Sequence, residues 1–458
     1  MERNTIAAIS TGMVSSGIGI VRMSGSDCFD IIDRVYMSES GLKKLSGAET
    51  HTIHYGYILD QEEVLDEVLV MVMRGPRTFT AEDTIEINCH GGVLVMKRIL
   101  ELLVKNGARV AAPGEFTKRA FLNGRMDLSQ AEAVIDIINS KNDYALKSSL
   151  SQLKGRVLDV VESVRDKIIY EIAFIESALD DPEHISIYGY GDKLLVVVEE
   201  LCRVLEMLIK SSENGRIIKE GVRTVIVGKP NAGKSSVLNL LVGEDRAIVT
   251  NIAGTTRDIL EESINLNGIS LNIVDTAGIR NTEDVVERIG IRKAKEFAKD
   301  ADLIIYVVDS STGLDESDDE IMEMVENKRV IVLLNKTDLN TITTIELLSE
   351  RINGVIIPIS AKKNIGIDML QKEVKEMFYK GDISFNDQIF ITNVRHKTAL
   401  VNALESLNTV KVSIANCMPE DFFSIDLMNA YEELGRITGK SVGEDLVNEI
   451  FSKFCTGK

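Results

Sequence analysis

An apolar run, Thr224–Val227, passes directly into Gly228-Lys229-Pro230-Asn231-Ala232-Gly233-Lys234-Ser235-Ser236. That spacing fits G-x-x-x-x-G-K-[ST], a loop whose backbone amides turn toward phosphate oxygens just before a helix begins. Lys234 is placed to reach β- and γ-phosphates, and Ser235 to ligate Mg²⁺. Alone in a chain of 458 residues, such an octapeptide could be a chance glycine-rich turn. Three further motifs in order remove that alternative.

Asp275-Thr276-Ala277-Gly278 ends the apolar stretch Ser270–Val274, where the Asp can hold the Mg²⁺ shell and the Gly amide can sense a γ-phosphate. Asn335-Lys336-Thr337-Asp338 ends Val330–Leu334, and Ser360-Ala361-Lys362 follows Val355–Ile359. The Asp338 carboxylate can accept both the N1–H and the 2-amino hydrogens of guanine, which adenine does not offer in that arrangement. Ser360, Ala361 and Lys362 can close over the base edge. GTP is therefore the expected nucleotide. Ile279 follows the Asp275–Gly278 motif, where many small GTPases carry a Gln that orients water; an apolar side chain cannot, so another group must position the nucleophile and an arginine finger or cation must offset transition-state charge.

These loops need a frame. From Arg223 to about Lys380 short apolar strands alternate with helical spacing, the pattern of an α/β unit with a mostly parallel sheet and helices on both faces. Upstream, β-rich segments at Ile18–Met23, Val68–Met73 and Thr84–Asn88 surround a helical pattern near Leu94–Val104, an α+β signature. At Asp127, with Gln130 three residues on, a capping box opens a long helical region that breaks near Asp180-Asp181-Pro182 and resumes as Leu194–Ile209. The polar stretch Ser211–Gly215 reads as a linker, and helix-like spacing returns after Asp382, as at Ala399, Leu400, Ala403 and Leu407. The expected organisation is an α+β domain over 1–120, a helical domain over 121–218 and 381–458, and the α/β domain inserted at 219–380. Two unrelated helical domains would give the same periodicity.

Composition excludes several classes. Lys and Arg number 52 against 71 Asp and Glu, a net charge of −19, which argues against a broad basic surface for nucleic acid. If RNA is the substrate, a partner supplies much of the grip. Absent Trp and 5% aromatics weaken any base-stacking groove. Five scattered cysteines lack zinc or redox spacing, and no apolar stretch reaches membrane-spanning length, so a cytoplasmic protein without membrane attachment is expected. His51, His54 and His90 have no ligand cluster around them; hydrogen-bonded structural roles are expected, and no zinc.

Asn231, the run Thr250-Asn251-Ile252-Ala253-Gly254-Thr255-Thr256-Arg257-Asp258 and Ile279 resemble the potassium-activated GTPases. The resemblance implies K⁺ contacts through Asn231, Thr250, Ile252 and Thr255, with Thr256 joining Ser235 on Mg²⁺. The flanks are similar to the MnmE/TrmE tRNA-modification GTPases over essentially the whole chain. The matching runs are Gly17–Gly25, Phe79–Asp83, Cys89–Gly92, Pro113–Gly124 and Phe454–Lys458. Within that family a Glu after the Asp275–Gly278 strand orients water, which implies Glu287 in preference to Glu283. Its N-terminal domain resembles tetrahydrofolate-binding modules and forms a homodimer, which implies a 5-formyltetrahydrofolate or related folate held by Arg22, Glu86, Arg125 and Lys458. Ala81, Arg125 and Thr456 depart from the usual family residues without removing a charge, and Cys455 is expected to pack or line a pocket rather than act as a nucleophile.

The family activity implied is GTP hydrolysis coupled to adding a (carboxymethyl)aminomethyl group at C5 of the wobble uridine, U34, of certain tRNAs, together with an FAD-dependent MnmG/GidA-type partner. The rivals are a ribosome-assembly GTPase that acts only as a switch, and a folate enzyme regulated by GTP.

Overall fold

The computed structural model describes residues 5–41, 44–244, 262–266, 268–273, 297–378, 389–455 and 457. Thr250–Asp258, Asp275–Ile279, Glu283, Glu287, Thr456 and Lys458, all singled out above, lie outside the described residues. The chain divides into two units, one of residues Met1–Ile138, Leu150–Cys202 and Ala399–Lys458, the other of Asn139–Ser149 and Arg203–Thr398.

In the first unit, β1 (Ile6–Ile9), β2 (Ile18–Ser24), β3 (Tyr36–Ser38), β4 (Thr52–Asp60), β5 (Glu63–Met73), β6 (Thr84–His90) and β7 (Arg109–Val110) form one sheet. Its order is β3-β4-β5-β6-β2-β1-β7, antiparallel except where β7 runs parallel to β1. Alternation decides what each face does. Val21, Met23, Val68, Val70, Val72, Ile85 and Ile87 point to one side and are buried with residues of the helices Cys28–Val35 and Val93–Lys105. The intervening residues Arg22 and Glu86 are cross-strand partners on the opposite face, in one row with Ala8.

Helices Leu128–Ile138, Arg156–Asp180 and Asp421–Thr438 complete this unit. The first begins with the expected capping box: Asp127 Oδ1 accepts the Ser129 and Gln130 amides at 2.7 and 3.2 Å, and Gln130 Oε1 accepts the Asp127 amide at 3.0 Å. Asp180 ends the second, as the break at Asp180-Asp181-Pro182 suggests.

The second unit carries β8 (Val222–Val227), β9 (Glu262–Leu266), β10 (Ile269–Ile273), β11 (Leu303–Asp309), β12 (Val330–Asn335) and β13 (Val355–Pro358) in the order β13-β12-β11-β8-β10-β9. All neighbours are parallel except the β9–β10 pair. Alternate residues serve two cores: Leu303, Ile305 and Val307 pack with the helices Lys234–Glu244 and Ile367–Phe378, while Ile304, Tyr306 and Val308 pack with Glu316–Val325. Burial on both faces is why these strands read as continuous apolar runs.

One expectation is corrected. Ser211–Gly215 is no linker; it lies inside the helix Tyr190–Glu220. The Ser211 and Ser212 hydroxyls donate back to the Leu208 and Ile209 carbonyls at 2.7 and 2.6 Å, satisfying themselves within the helix. At Gly215 a Cβ would stand 2.2 Å from the Ile391 carbonyl oxygen, so the polar, small-residue stretch admits the backbone of another segment.

Candidate functional site

The described motifs of the second unit meet at the carboxyl ends of β8, β12 and β13, where open α/β sheets place their ligands. Beyond Val227 the chain curls through Gly228 (φ 150°), Asn231 (φ 61°) and Gly233 (φ 99°) into the helix Lys234–Glu244. These left-handed conformations turn successive amides inward, making a concavity for an anion. The Lys234 ammonium bridges the loop, donating to the Gly228 and Lys229 carbonyls at 2.8 and 2.7 Å. Ser235 and Ser236 follow in the first helical turn, where N–H groups and the helix dipole favour negative charge.

Asn335 ties this loop to the segment after β13. Almost wholly buried, it donates from Nδ2 to the Ala232 carbonyl at 2.9 Å and accepts the Ala361 amide on Oδ1 at 3.1 Å. Thr337 donates its hydroxyl to the Ile359 carbonyl at 2.9 Å, and the buried Ser360 donates to Asp338 Oδ1 at 2.7 Å. The Ser360 hydroxyl, with the positive charges of Lys363 and Lys362, holds the Asp338 carboxyl below its usual range. Asp338 is thus an oriented anion on a partly exposed edge.

Sequence reasoning missed Asp309. It ends β11, and the Lys336 ammonium sits 2.5 Å from its carboxylate. Burial pushes the Asp309 pKa up, but Lys336 and the Ser311 hydroxyl and amide outweigh it and hold the carboxyl down. Its place at the carboxyl end of a central parallel strand was the available signal.

Gly233 offers a direct check. A Cβ there would meet Asn335 Nδ2 at 2.2 Å on a backbone at φ 99°. Gly233→Ala is expected to break the Asn335 bridge and weaken binding of a fluorescent GTP analogue by about tenfold or more, the equivalent of ~1.4 kcal/mol. Unchanged affinity would mean that the bridge does not set the loop.

In the first unit the structure gathers Arg22, Glu86 and Arg125. Arg22 and Glu86, each half-buried, lie 2.6 Å apart. The Arg22 guanidinium stands 5.8 Å from the Phe79 ring centre and 5.6 Å from that of Phe116, and that of Arg125 lies 5.3 Å from Phe79. Arg22 Nη1 also donates to the Gly457 carbonyl at 3.5 Å, bringing the chain's last described residue to the cluster. Positive groups on aromatic faces beside one carboxylate suit a ligand with an anionic tail and a hydrogen-bonding ring. Phe79 and Phe116 as walls were not anticipated. Cys455, expected to pack or line a pocket, is exposed.

The histidines are hydrogen-bonded, His90 to Asp66 at 2.6 Å, His51 to the Arg77 carbonyl at 3.0 Å and His54 to Thr52 at 2.8 Å. Among the described residues no helix is long and apolar enough to cross a membrane, and no group of three His, Cys, Asp or Glu side chains is placed to hold a metal.

Known proteins match along the whole length. A family model described as the MnmE helical domain matches residues 128–455, and one described as the GTP-binding protein TrmE N-terminus matches residues 5–125. The chain is 59% identical over 458 residues to the tRNA modification GTPase MnmE of Lachnoclostridium phytofermentans, covering 100% of both chains. It is 49% identical over 463 residues to the protein of the same name from Acetivibrio thermocellus, again over 100% of both. For the Thermoanaerobacter pseudethanolicus protein the identity is 47% over 461 residues, with 100% of each covered.

Proposed function

Because the chain belongs to the MnmE family of tRNA modification GTPases, we propose that its GTP hydrolysis drives modification of U34 of certain tRNAs with a folate one-carbon donor and an FAD-dependent MnmG/GidA-type partner. The observation that carries the GTP site is the position of Asn335, which locks the phosphate loop at Ala232 to the base-edge loop at Ala361. Asp338, oriented by Ser360, reads guanine; Lys234 meets the phosphates; Ser235 and Thr256 would hold Mg²⁺. Residues 219–380 form the GTPase domain, inserted in a helical domain of 121–218 and 381–458, with 1–120 binding folate and forming the homodimer.

In hydrolysis, water attacks the γ-phosphorus, the bond to the β–γ bridging oxygen breaks, and GDP leaves with phosphate. Lys234 offsets charge on the phosphoryl oxygens, and Glu287 orients the water in place of the Gln that Ile279 cannot replace. Asn231, Thr250, Ile252 and Thr255 would hold K⁺, which would supply positive charge beside the phosphates. Asn231, exposed at its left-handed turn, leaves its amide oxygen accessible to such a cation. Arg22, Glu86, Arg125 and Lys458 bind the folate: guanidinium groups suit its glutamate tail, and the carboxylate suits donor hydrogens on its pterin edge.

Reconstitution with the flavoprotein, tRNA, folate and GTP tests this. Exchange of K⁺ for Na⁺ is expected to slow GTP turnover by about a hundredfold, the scale of losing a charge that stabilises the transition state. Full turnover in Na⁺ would remove the cation mechanism alone. Intact wobble-uridine modification in cells lacking the protein would remove the tRNA role and favour a regulatory GTPase switch.

A further inference from the structure

Lys229, second residue of the phosphate loop, sends its ammonium to the segment that opens the helix Glu316–Val325. It lies 2.6 Å from Asp318 Oδ2 and 2.9 Å from Asp315 Oδ2, with the Gly313 carbonyl at 3.5 Å. These acceptors stand at the start of the helix Glu316–Val325, where Asp315 and Asp318 form a reciprocal capping box. The Asp318 side chain is 1% exposed, and its other oxygen accepts the Tyr306 hydroxyl at 2.7 Å. Tyr306, fully buried on β11, is the register partner of Val227, the residue just before the loop. A ring therefore closes from Val227 through Lys229, Asp318 and Tyr306 back across the sheet to Val227.

The loop so anchored holds a non-glycine residue, Asn231, at φ 61° between two glycines of positive φ. Such a conformation costs free energy that contacts around it must offset, and Lys234 bridges the loop from within. From outside, Asn335 at the end of β12 holds it at Ala232, and Lys229 fastens its start to the helix after β11. From this ring we infer that Lys229 is a positioning residue, its ion pairs with Asp318 and Asp315 presetting the phosphate loop for guanine nucleotide; the inference rests on the GTP-site reading above. Burial works against the charge on Lys229, but Asp318 and Asp315 more than offset it and raise its pKa, so the ammonium stays charged.

A lysine acting directly on phosphate would give a different result, and two variants separate the cases. Lys229→Met removes the ammonium. Asp318→Asn keeps the ammonium but loosens its anchor and releases positive charge toward the nucleotide. Anchoring predicts that both release a fluescently labelled GDP about tenfold faster and raise KM for GTP, with kcat changed less than about threefold. Lys229→Arg, retaining both pairs, is expected to stay within about threefold of the wild type. The double variant Lys229→Met, Asp318→Asn leaves no buried unpaired charge, so it preserves the fold and should still release GDP faster. Thermal unfolding run alongside shows that each variant is folded. Unchanged release from the double variant, or slower release from Asp318→Asn, would overturn the anchor. Failure of the wild type itself to bind guanine nucleotide would instead overturn the GTP site on which the anchor rests.

Discussion

Asp338→Asn is expected to weaken GTP binding by about a hundredfold or more and to turn preference toward a xanthine nucleotide. The carboxylate offers acceptors to both N1–H and the 2-amino group of guanine, whereas an amide places its own NH₂ against that amino group. In xanthine a carbonyl replaces the amino group, so the same amide NH₂ finds an acceptor. Ser360 sharpens the effect, because its hydroxyl holds Asp338 Oδ1 at 2.7 Å and so fixes the carboxylate's orientation. Direct titration with GTP and XTP checks the outcome, and equal GTP affinity in the two proteins would remove Asp338 from base recognition.

A pH dependence follows with a definite sign. Hydrogen bonding from Ser360 and the charges of Lys363 and Lys362 depress the Asp338 pKa in the folded chain. The carboxylate therefore contributes fully above its unfolded value, and its contribution disappears only as pH falls through the lowered folded one. GTP affinity should accordingly be flat across the neutral range and persist to pH values where an ordinary aspartate is already protonated.

Lys234→Met is expected to reduce kcat/KM for GTP by about a thousandfold, the upper scale for losing one preorganised charge at a transition state. Methionine keeps the stem and removes the ammonium. Two losses combine: phosphate oxygens lose their positive partner, and the Gly228 and Lys229 carbonyls lose the donor that draws the loop together at 2.8 and 2.7 Å. Single-turnover hydrolysis separates the two, since the first slows the chemical step and the second weakens binding. Arginine should not rescue, because a planar guanidinium cannot occupy the point between two carbonyls that an ammonium fills. Hydrolysis within about twofold of the wild type would show that Lys234 is not the phosphate-facing charge.

Much of the architecture was legible because the second unit's strands are buried on both faces. Val330–Leu334 and Val355–Ile359 stand out as apolar runs, and the polar motifs that end them mark strand ends. The capping residues Asp127 and Gln130 likewise announce a helix start through chemistry confined to four residues. Where local composition opposed tertiary packing, it misled: Ser211–Gly215 reads as a linker, but its serines bond within the helix and its glycine accommodates the Ile391 backbone. Phe79 and Phe116 could be quoted as parts of sequence runs, yet nothing local says that their rings stand beside the Arg22 guanidinium.

The sequence by itself determined the local chemistry: which glycine-rich loop precedes a helix, which polar motifs end the apolar strands, and where strands and helices alternate. Backbone conformation, residue type and short-range hydrogen bonding decide these within a few residues. Tertiary structure decided the pairings. Lys229 meets Asp315 across 86 positions, Arg22 meets Glu86 across 64, and Ser360 meets Asp338 across 22. Those separations close only because β11 pairs with β8, β2 with β6 and β12 with β13. Strand order is set by the burial of whole faces in common cores, a property of many residues acting together, which no short stretch of chain carries.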